Sequence, residues 1–299
     1  MAKRKLKNIS QMEFNLFRPI EHDRNFHLGG KSFYFFDFDD NVAYLSTPIY
    51  LFHKETNAEI KVSSGEFALH NKTIGSDGPY KDFALNFNDE TGSFRNFRDA
   101  PAITTPGSPK QKQRFVEDIE VALNKADYQW KAPSWNCFYH ATYNKRPLSL
   151  ITARGHQSTT IMDGIEMMVQ NGHLPHTPNY LSIYAVSHPE TRKELGDLQL
   201  KSSVAELKKT AIRESVEKAI ALYGHSPFHR FGMSDDDPHN VELITEEMRG
   251  LKSRYPEMSF FVIQTFKDSY SKREILEHRT REVVSEFESR ARQLSLFDL

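Results

Sequence analysis

The sequence has little of what marks secreted, membrane-bound or strongly charged proteins. Its 299 residues include one cysteine, which excludes an internal disulfide framework and favours a reducing compartment. No apolar run is long enough to span a bilayer, and the start of the chain shows no signal-peptide pattern. The 39 basic and 40 acidic residues nearly cancel, so no overall attraction to nucleic acid or membranes follows. We therefore expect a cytoplasmic protein.

The most informative segment is an aromatic run that ends in acidic residues, at positions 33–40. Four aromatic residues precede Asp37, Asp39 and Asp40. A continuous apolar run is typical of a strand buried on both faces of a parallel sheet, and ligands of such sheets bind beyond the carboxyl ends of the strands. Carboxylates as close as Asp37 and Asp39 repel one another unless a cation or a proton neutralises them. The segment therefore predicts a site for a hard cation, with Mg²⁺ as the first choice.

Apolar strands and amphipathic helices alternate through most of the remaining chain. Further strands are predicted at 148–152, 180–186, 231–234 and 258–266. Capping-box patterns predict helix starts at Ser203 and at Ser271, the second opening a long charged helix to about residue 292. The alternation indicates βαβ units, and hence an α/β fold with a three-layer, Rossmann-like parallel sheet.

Residues 46–146 interrupt this alternation. Residues 48–70 look like short strands around a turn, and much of the remainder is rich in Gly, Pro, Asp, Asn and Ser. An insertion of this length is too long for a plain loop and predicts a small domain of mixed α+β structure. We therefore divide the chain into a core of residues 1–45 and 147–299 and an inserted domain of residues 46–146.

Polar residues follow other predicted strands in the same way as they follow the first. Thr152 ends one strand, and Asp235 and Asp236 follow another. With a cation bound, Asp37 could attack phosphorus, while Asp39 could protonate a leaving oxygen and later deprotonate water. Thr152 and a lysine would hold the phosphoryl oxygens. Phosphoryl transfer requires mainly positioning and charge neutralisation, and these residue types provide both.

These segments resemble the motifs of the haloacid dehalogenase-like hydrolases. Their first motif, an apolar strand followed by Asp-x-Asp, matches Asp37-Phe38-Asp39-Asp40-Asn41, with Asn41 where most members have Thr or Val. Their second motif, a strand ending in Thr or Ser, matches residues 148–152 and continues as Ala153-Arg154-Gly155. Their fourth, a strand ending in paired acids, matches residues 231–236. The resemblance covers residues 31–45 and 147–266.

The resemblance implies a Mg²⁺-dependent phosphatase that cleaves a small phosphate monoester through an aspartyl-phosphate. It makes Asp37 the nucleophile, Asp39 the general acid and base, and Thr152 a ligand of the phosphoryl group. It also implies that Mg²⁺ is held by Asp37, the Asp39 backbone carbonyl and Asp235, with Asp236 nearby. The inserted domain would act as a cap that covers the site and selects the substrate.

Two alternatives stay open among the basic residues. Lys208 and Lys209 both lie near the start of the helix that would carry the family's third-motif lysine. We favour Lys208 because apolar residues flank it at helical spacing, and neighbours on a helix point about 100° apart, so only one can reach the site. Arg154 could contact the substrate or could hold the loop after Thr152. All three are candidates for phosphate or substrate binding.

The end of the chain suggests an interaction with another protein. Residues 293–297, Gln293 to Phe297, read Gln-Leu-Ser-Leu-Phe, which is similar to the peptide by which many bacterial replication and repair proteins bind the sliding clamp. The alternative is that these residues complete the last helix and pack on the core. If the tail binds a clamp, a phosphorylated DNA end or nucleotide becomes the better substrate, or the chain is a weakly active or inactive module recruited to the clamp.

Overall fold

The computed structural model describes residues 19–101, 112–266 and 269–283. Its strands are β1 Ser32–Phe36, β2 Ile49–His53, β3 Glu59–Val62, β4 Phe83–Ala84, β5 Leu148–Thr152, β6 Tyr180–Ala185, β7 Arg230–Asp235, β8 Ser259–Phe266, β9 Ser269–Ile275 and β10 Thr280–Glu282. Its α-helices are α1 Ser64–His70, α2 Arg114–Leu123, α3 Asp127–Trp130, α4 Trp135–Tyr143, α5 Ser158–Gln170, α6 Pro189–Glu194, α7 Val204–Tyr223 and α8 Pro238–Arg254.

A seven-stranded, mostly parallel sheet forms the centre of the fold. Its strand order is β10-β9-β8-β7-β1-β5-β6, and the five strands from β8 to β6 are parallel. The predicted α/β class, with a Rossmann-like sheet between helices, is confirmed at this level. The chain continues from β1 to β5 on one side and reaches β7 on the other, so the order reverses at β1. The carboxyl end of β1 is thus a topological switch point, where open α/β sheets bind ligands.

Helices cover both faces of the sheet, because β1 presents apolar side chains to each face. On one face, Phe33 and Phe35 are buried in a cluster with residues of α7 and α8, among them Val216 and Met248. On the other face, Phe36 is buried in a cluster with residues of α2, α4 and α5. The continuous aromatic run in the sequence therefore predicted correctly a strand that is buried on both faces.

The inserted region contains a separate small sheet. Strands β3, β2 and β4 are antiparallel, and β2 and β3 bury Ile49, Leu51 and Val62 in a cluster of their own. The turn between β2 and β3 holds Asn57 at φ 58°, a left-handed conformation that Asn tolerates. Helices α2 and α4 instead pack in the same cluster as β1 and β5. The boundaries of the insert, at residues 46 and 146, stay a prediction. Because α2 and α4 pack with the main sheet, the packing favours an insert that ends before α2.

The predicted helix from Ser271 to about residue 292 is wrong in its described part. Residues 269–275 form β9, which pairs antiparallel with β8, and β10 pairs antiparallel with β9. The pairing places Ile275 opposite Phe260 and buries it completely in the cluster on that face of the sheet. Tertiary pairing thus overrides the local capping pattern. The clamp-like peptide at 293–297 lies outside the described residues and stays a prediction. None of the described helices is long and apolar enough to cross a membrane.

Candidate active site

Three carboxylates meet at the carboxyl ends of β1 and β7. Asp37 directly follows β1 and Asp235 ends β7, and because these parallel strands pair in register, the two residues lie side by side. Asp235 and Asp37 are buried, with 0% and 7% of their surfaces exposed. One carboxylate oxygen from each of Asp37, Asp235 and Asp236 lies within 4.8 Å of the others. Such a group of oxygens fits a hard divalent cation.

Lys208 supplies a positive charge to this cluster. Its Nζ lies 2.8 Å from Oδ2 of Asp235 and 3.4 Å from Oδ1 of Asp37, and its side chain is almost completely buried. The Oδ1 atom of Asp37 is buried and accepts no hydrogen bond from any described residue. Ionised, three carboxylates and one ammonium carry two excess negative charges, which a divalent cation would neutralise. The donor set therefore fits a metal ion such as Mg²⁺.

Burial and mutual repulsion shift the pKa values of this cluster. Burial raises the pKa of Asp37 well above its usual range, with Lys208 opposing the shift and Asp235 and Asp236 adding to it. Burial, with the charges of Asp235 and Asp40, raises the pKa of Asp236 to about 7. Burial alone would lower the pKa of Lys208, but the carboxylates of Asp235 and Asp37 outweigh it and raise that pKa. Without a metal ion, ionisation of both Asp37 and Asp236 is therefore unfavourable.

Arg154 holds the side chain of Asp39 beside this cluster. Its Nε lies 2.8 Å from Oδ2 of Asp39 and its Nη2 lies 2.6 Å from Oδ1, so the pair is bidentate. Nη2 also donates to Oγ1 of Thr47 at 2.7 Å, and the guanidinium lies 4.8 Å from the ring centres of both Phe97 and Phe115. The Arg154 side chain is completely buried. Of the two predicted roles, this geometry favours holding the loop and Asp39 over contacting a substrate.

The remaining predicted residues occupy different places. Thr152 is buried at the end of β5, next to β1, and its Oγ1 accepts a hydrogen bond from the Arg154 backbone N–H at 3.3 Å. Lys209 is not brought to the cluster, since its Nζ pairs with Oε2 of Glu246 at 2.8 Å near the surface. Adjacent residues of α7 point in different directions, so only Lys208 faces β7. The structure thus brings together Asp37, Asp235, Asp236 and Lys208.

Asn41 connects the strand ends around the site, a role that the sequence alone did not show. Its amide is completely buried and donates to the Asp37 carbonyl at 2.9 Å and to the carbonyl and hydroxyl oxygens of Ser234 at 3.1 and 2.8 Å. Its Oδ1 accepts from Ser134 and Thr265, each at 3.0 Å. A Thr or Val cannot make this set of bonds, because neither has an amide. The departure from the family pattern at this position was the available signal.

Asn240 is a second residue that the sequence did not indicate. Its Nδ2 donates to Oδ1 of Asp235 at 3.2 Å, and the backbone N–H of Asp237 donates to the same oxygen at 3.0 Å. Both donors belong to the start of α8, which follows the paired acids. They leave Oδ2 of Asp235 to Lys208. In the sequence, the one sign of this role for Asn240 was its position in the first helical turn after Asp235 and Asp236.

The inserted region contacts both loops of the site. The backbone N–H of Gly155 donates to the Phe97 carbonyl at 2.8 Å, and that of Gln157 donates to Oδ2 of Asp99 at 2.7 Å. Burial raises the pKa of Asp40 to about 6, and its contact with Ser64, at the start of α1, opposes the shift. The loop after β5 is therefore tied to the insert by hydrogen bonds, and the loop after β1 contacts it at Asp40.

Comparisons with protein-family models, curated proteins and solved structures gave no match. The similarity to the haloacid dehalogenase-like motifs therefore stays a resemblance, and the geometry of the site carries the functional argument. The fold brings these motif segments, which are far apart in the sequence, to one edge of the sheet. Each segment follows one of the strands β5, β1 and β7, and these three strands are neighbours in the sheet.

Removing the Asn41 amide should destabilise the fold. We expect Asn41→Ala to lower the free energy of unfolding by roughly 2–4 kcal/mol, because it leaves several buried polar groups without partners. Equilibrium urea unfolding measures the change. Asn124→Ala is the matched control, since Asn124 is exposed and its side chain donates, within the described part of the chain, to the Glu120 carbonyl alone. Equal stability of the two variants would show that the Asn41 network does not hold the strand ends together.

Proposed function

We propose that this chain is a Mg²⁺-dependent phosphohydrolase that cleaves a phosphate monoester through an aspartyl-phosphate intermediate. The observation that supports it most is the meeting of Asp37, Asp235 and Asp236 with Lys208 at the switch point of the sheet. The position of β1, between β5 and β7, agrees with the resemblance to haloacid dehalogenase-like hydrolases, with the inserted region as the cap. The substrate is a small phosphorylated molecule.

Mg²⁺ would be held by the carboxylates of Asp37, Asp235 and Asp236, and when bound it would neutralise charge on the phosphoryl group. In the first step a carboxylate oxygen of Asp37 bonds to phosphorus, and the bond from phosphorus to the leaving oxygen breaks. In the second step water attacks phosphorus, the bond to Asp37 breaks, and phosphate leaves. The two steps together consume one water molecule and return Asp37 to its free carboxylate, with no other reactant.

The neighbouring residues supply charge and proton transfer. Lys208 offsets the negative charge of Asp37 and Asp235 and lies where it can also approach a phosphoryl oxygen. Thr152, at the end of the adjacent strand, is the candidate donor to a second phosphoryl oxygen. Asp39 would give a proton to the leaving oxygen and take one from water. Arg154 keeps the Asp39 carboxylate in one orientation through two hydrogen bonds, and so acts as a positioning residue.

The direct test is hydrolysis of p-nitrophenyl phosphate by the purified full-length chain. We expect turnover with millimolar Mg²⁺, loss of turnover in EDTA, and recovery on adding excess Mg²⁺ but not Ca²⁺, which prefers more ligands at longer distances. Phosphate release is then measured across a panel of phosphate esters that includes phosphorylated DNA ends. Equal rates with and without EDTA would contradict the metal site. No turnover on any ester, with Mg²⁺ still binding, would favour an inactive binding module.

A further inference from the structure

A cavity lies on one face of the main sheet and extends from Arg230, at the start of β7, to Ser234, next to the carboxyl-end site. Tyr34, Gly232 and Phe261 are register partners in β1, β7 and β8, so they lie on the same face of the sheet. In the described part of the chain, α8 packs on β7 and β8 from the opposite face. Residues 133–137, at the start of α4, form one wall. The result is an open cavity of about 390 Å³ over β7, β8 and β9.

Two half-buried cations face this cavity across one aromatic ring. The Arg230 guanidinium lies 4.8 Å from the ring centre of Phe261, and the Lys272 Nζ lies 4.6 Å from it. Neither cation has a carboxylate within ion-pair distance among the described residues, and Arg24 adds a third positive charge nearby. Burial, followed by the charge of Arg230, lowers the pKa of Lys272. The positive charge is therefore concentrated and poorly compensated.

The nearest carboxylates are already engaged by other residues. Glu274 forms its ion pair with Arg281, and Asp23 forms one with Arg146 at 2.7 Å. A desolvated cation without a counter-ion is unfavourable, and two of them close together are more so. An anion in the cavity would remove both penalties at once. An aromatic floor beside the charges favours an anion with a flat apolar part.

We propose that this cavity binds a small anion with a planar apolar body, of the aromatic carboxylate or sulfonate class. Its charge would lie within reach of both Arg230 and Lys272, and its body would pack on Phe261 and Tyr34. The volume falls at the lower end of the roughly 300–1,000 Å³ range of small-molecule pockets, which favours a single small ligand over a protein partner. Arg230 begins β7 whereas Asp235 ends it, so the charged part of the cavity lies at the opposite end of β7 from the proposed catalytic site.

The test uses 8-anilino-1-naphthalenesulfonate and its uncharged analogue N-phenyl-1-naphthylamine, titrated into the full-length chain by fluorescence and calorimetry. We expect one sulfonate per chain, with binding that weakens as salt rises. Lys272→Gln and Arg230→Gln should each weaken it about tenfold or more, because each removes a charge-assisted contact. Lys218→Gln, at an exposed lysine of α7, should leave it unchanged. The uncharged analogue should bind more weakly and should not respond to Lys272→Gln.

A glycine variant tests the cavity without changing the charges. A Cβ at position 232 would meet Ile263 Cδ1 at 3.4 Å and Phe261 Cβ at 3.8 Å, which are ordinary contacts, so Gly232→Ala should fold and reduce the space above the sheet. It should weaken both probes severalfold, with circular dichroism and urea unfolding confirming that the fold is kept.

Several outcomes would overturn the proposal. The first is equal affinity for the two probes. The second is sulfonate binding whose affinity is unchanged in both Lys272→Gln and Arg230→Gln. The third is binding that occurs only after deletion of residues 284–299. The last result would mean that the chain's own segment, rather than a ligand, occupies the cavity. None of these measurements depends on catalysis, so failure of phosphate hydrolysis would leave this test intact.

Discussion

Asp37→Asn is expected to abolish Mg²⁺-dependent hydrolysis of p-nitrophenyl phosphate, lowering kcat on the order of 10⁴-fold or more. The amide cannot form the bond to phosphorus that a carboxylate oxygen forms, and it is a poorer ligand for Mg²⁺. Steady-state rates of phosphate release at saturating Mg²⁺ measure the effect. Asp163→Asn, the same substitution at an exposed position of α5, is the matched control and should retain full activity.

The same variant should fold at least as well as the natural chain. Burial raises the pKa of Asp37, so the ionised carboxylate is less favourable in the folded state than in the unfolded one. The stability associated with its proton is present at low pH and is lost as pH rises through the folded-state pKa. Metal-free Asp37→Asn should therefore gain stability relative to the natural chain as pH rises from 5 to 8, by urea unfolding. Retained hydrolysis in a folded Asp37→Asn protein would exclude Asp37 as the nucleophile.

Lys208→Met should destabilise the metal-free protein by roughly 3–5 kcal/mol. Among the described residues, Lys208 is the one cation that pairs with the buried carboxylates of Asp37 and Asp235, so the substitution leaves both without charge compensation. Because Mg²⁺ binding to the folded state compensates the same charges, millimolar Mg²⁺ should restore part of the loss. Urea unfolding with and without Mg²⁺ measures both effects, and activity should fall in parallel.

Lys209→Met provides the matched control at the next position of the same helix. Lys209 pairs with Glu246 near the surface, and exposed pairs of this kind contribute at most about 1 kcal/mol. Its stability should therefore change little, and Mg²⁺ should stabilise it only as much as it stabilises the natural chain. If the two methionine variants were equally stable, or if Mg²⁺ stabilised Lys209→Met more, the arrangement around Asp235 would be incorrect.

Much of the sheet could be predicted because its strands have strong local patterns. The aromatic run before Asp37 and the apolar segments before Thr152 and Asp235 lie where β1, β5 and β7 are found. Residues at the ends of parallel strands are brought to one edge whatever the loops do, so the acids could be grouped before their distances were known. The choice of Lys208 over Lys209 could be made from the helical period, which determines the directions of adjacent side chains.

Other features could not be predicted because they depend on partners distant in sequence. Arg154 meets Asp39 only because β5 lies beside β1, and the bonds of Asn41 reach residues from four segments. The residues from Ser271 match the capping-box pattern of a helix start. In the structure they instead form backbone hydrogen bonds with the edge of β8. Local propensities amount to fractions of a kcal/mol per residue, so a strand edge outweighs them.

The sequence by itself determined the five parallel strands, the α/β class and the acids at the strand ends, because periodicity and residue type act over a few neighbouring positions. Only the tertiary structure decided that Arg154 pairs with Asp39, that α2 and α4 pack on the main sheet, and that Arg230 and Lys272 share one aromatic ring. Each of these depends on contacts between segments separated by tens of residues or more. Such contacts are selected by burial and charge compensation across the whole fold, which no local pattern encodes.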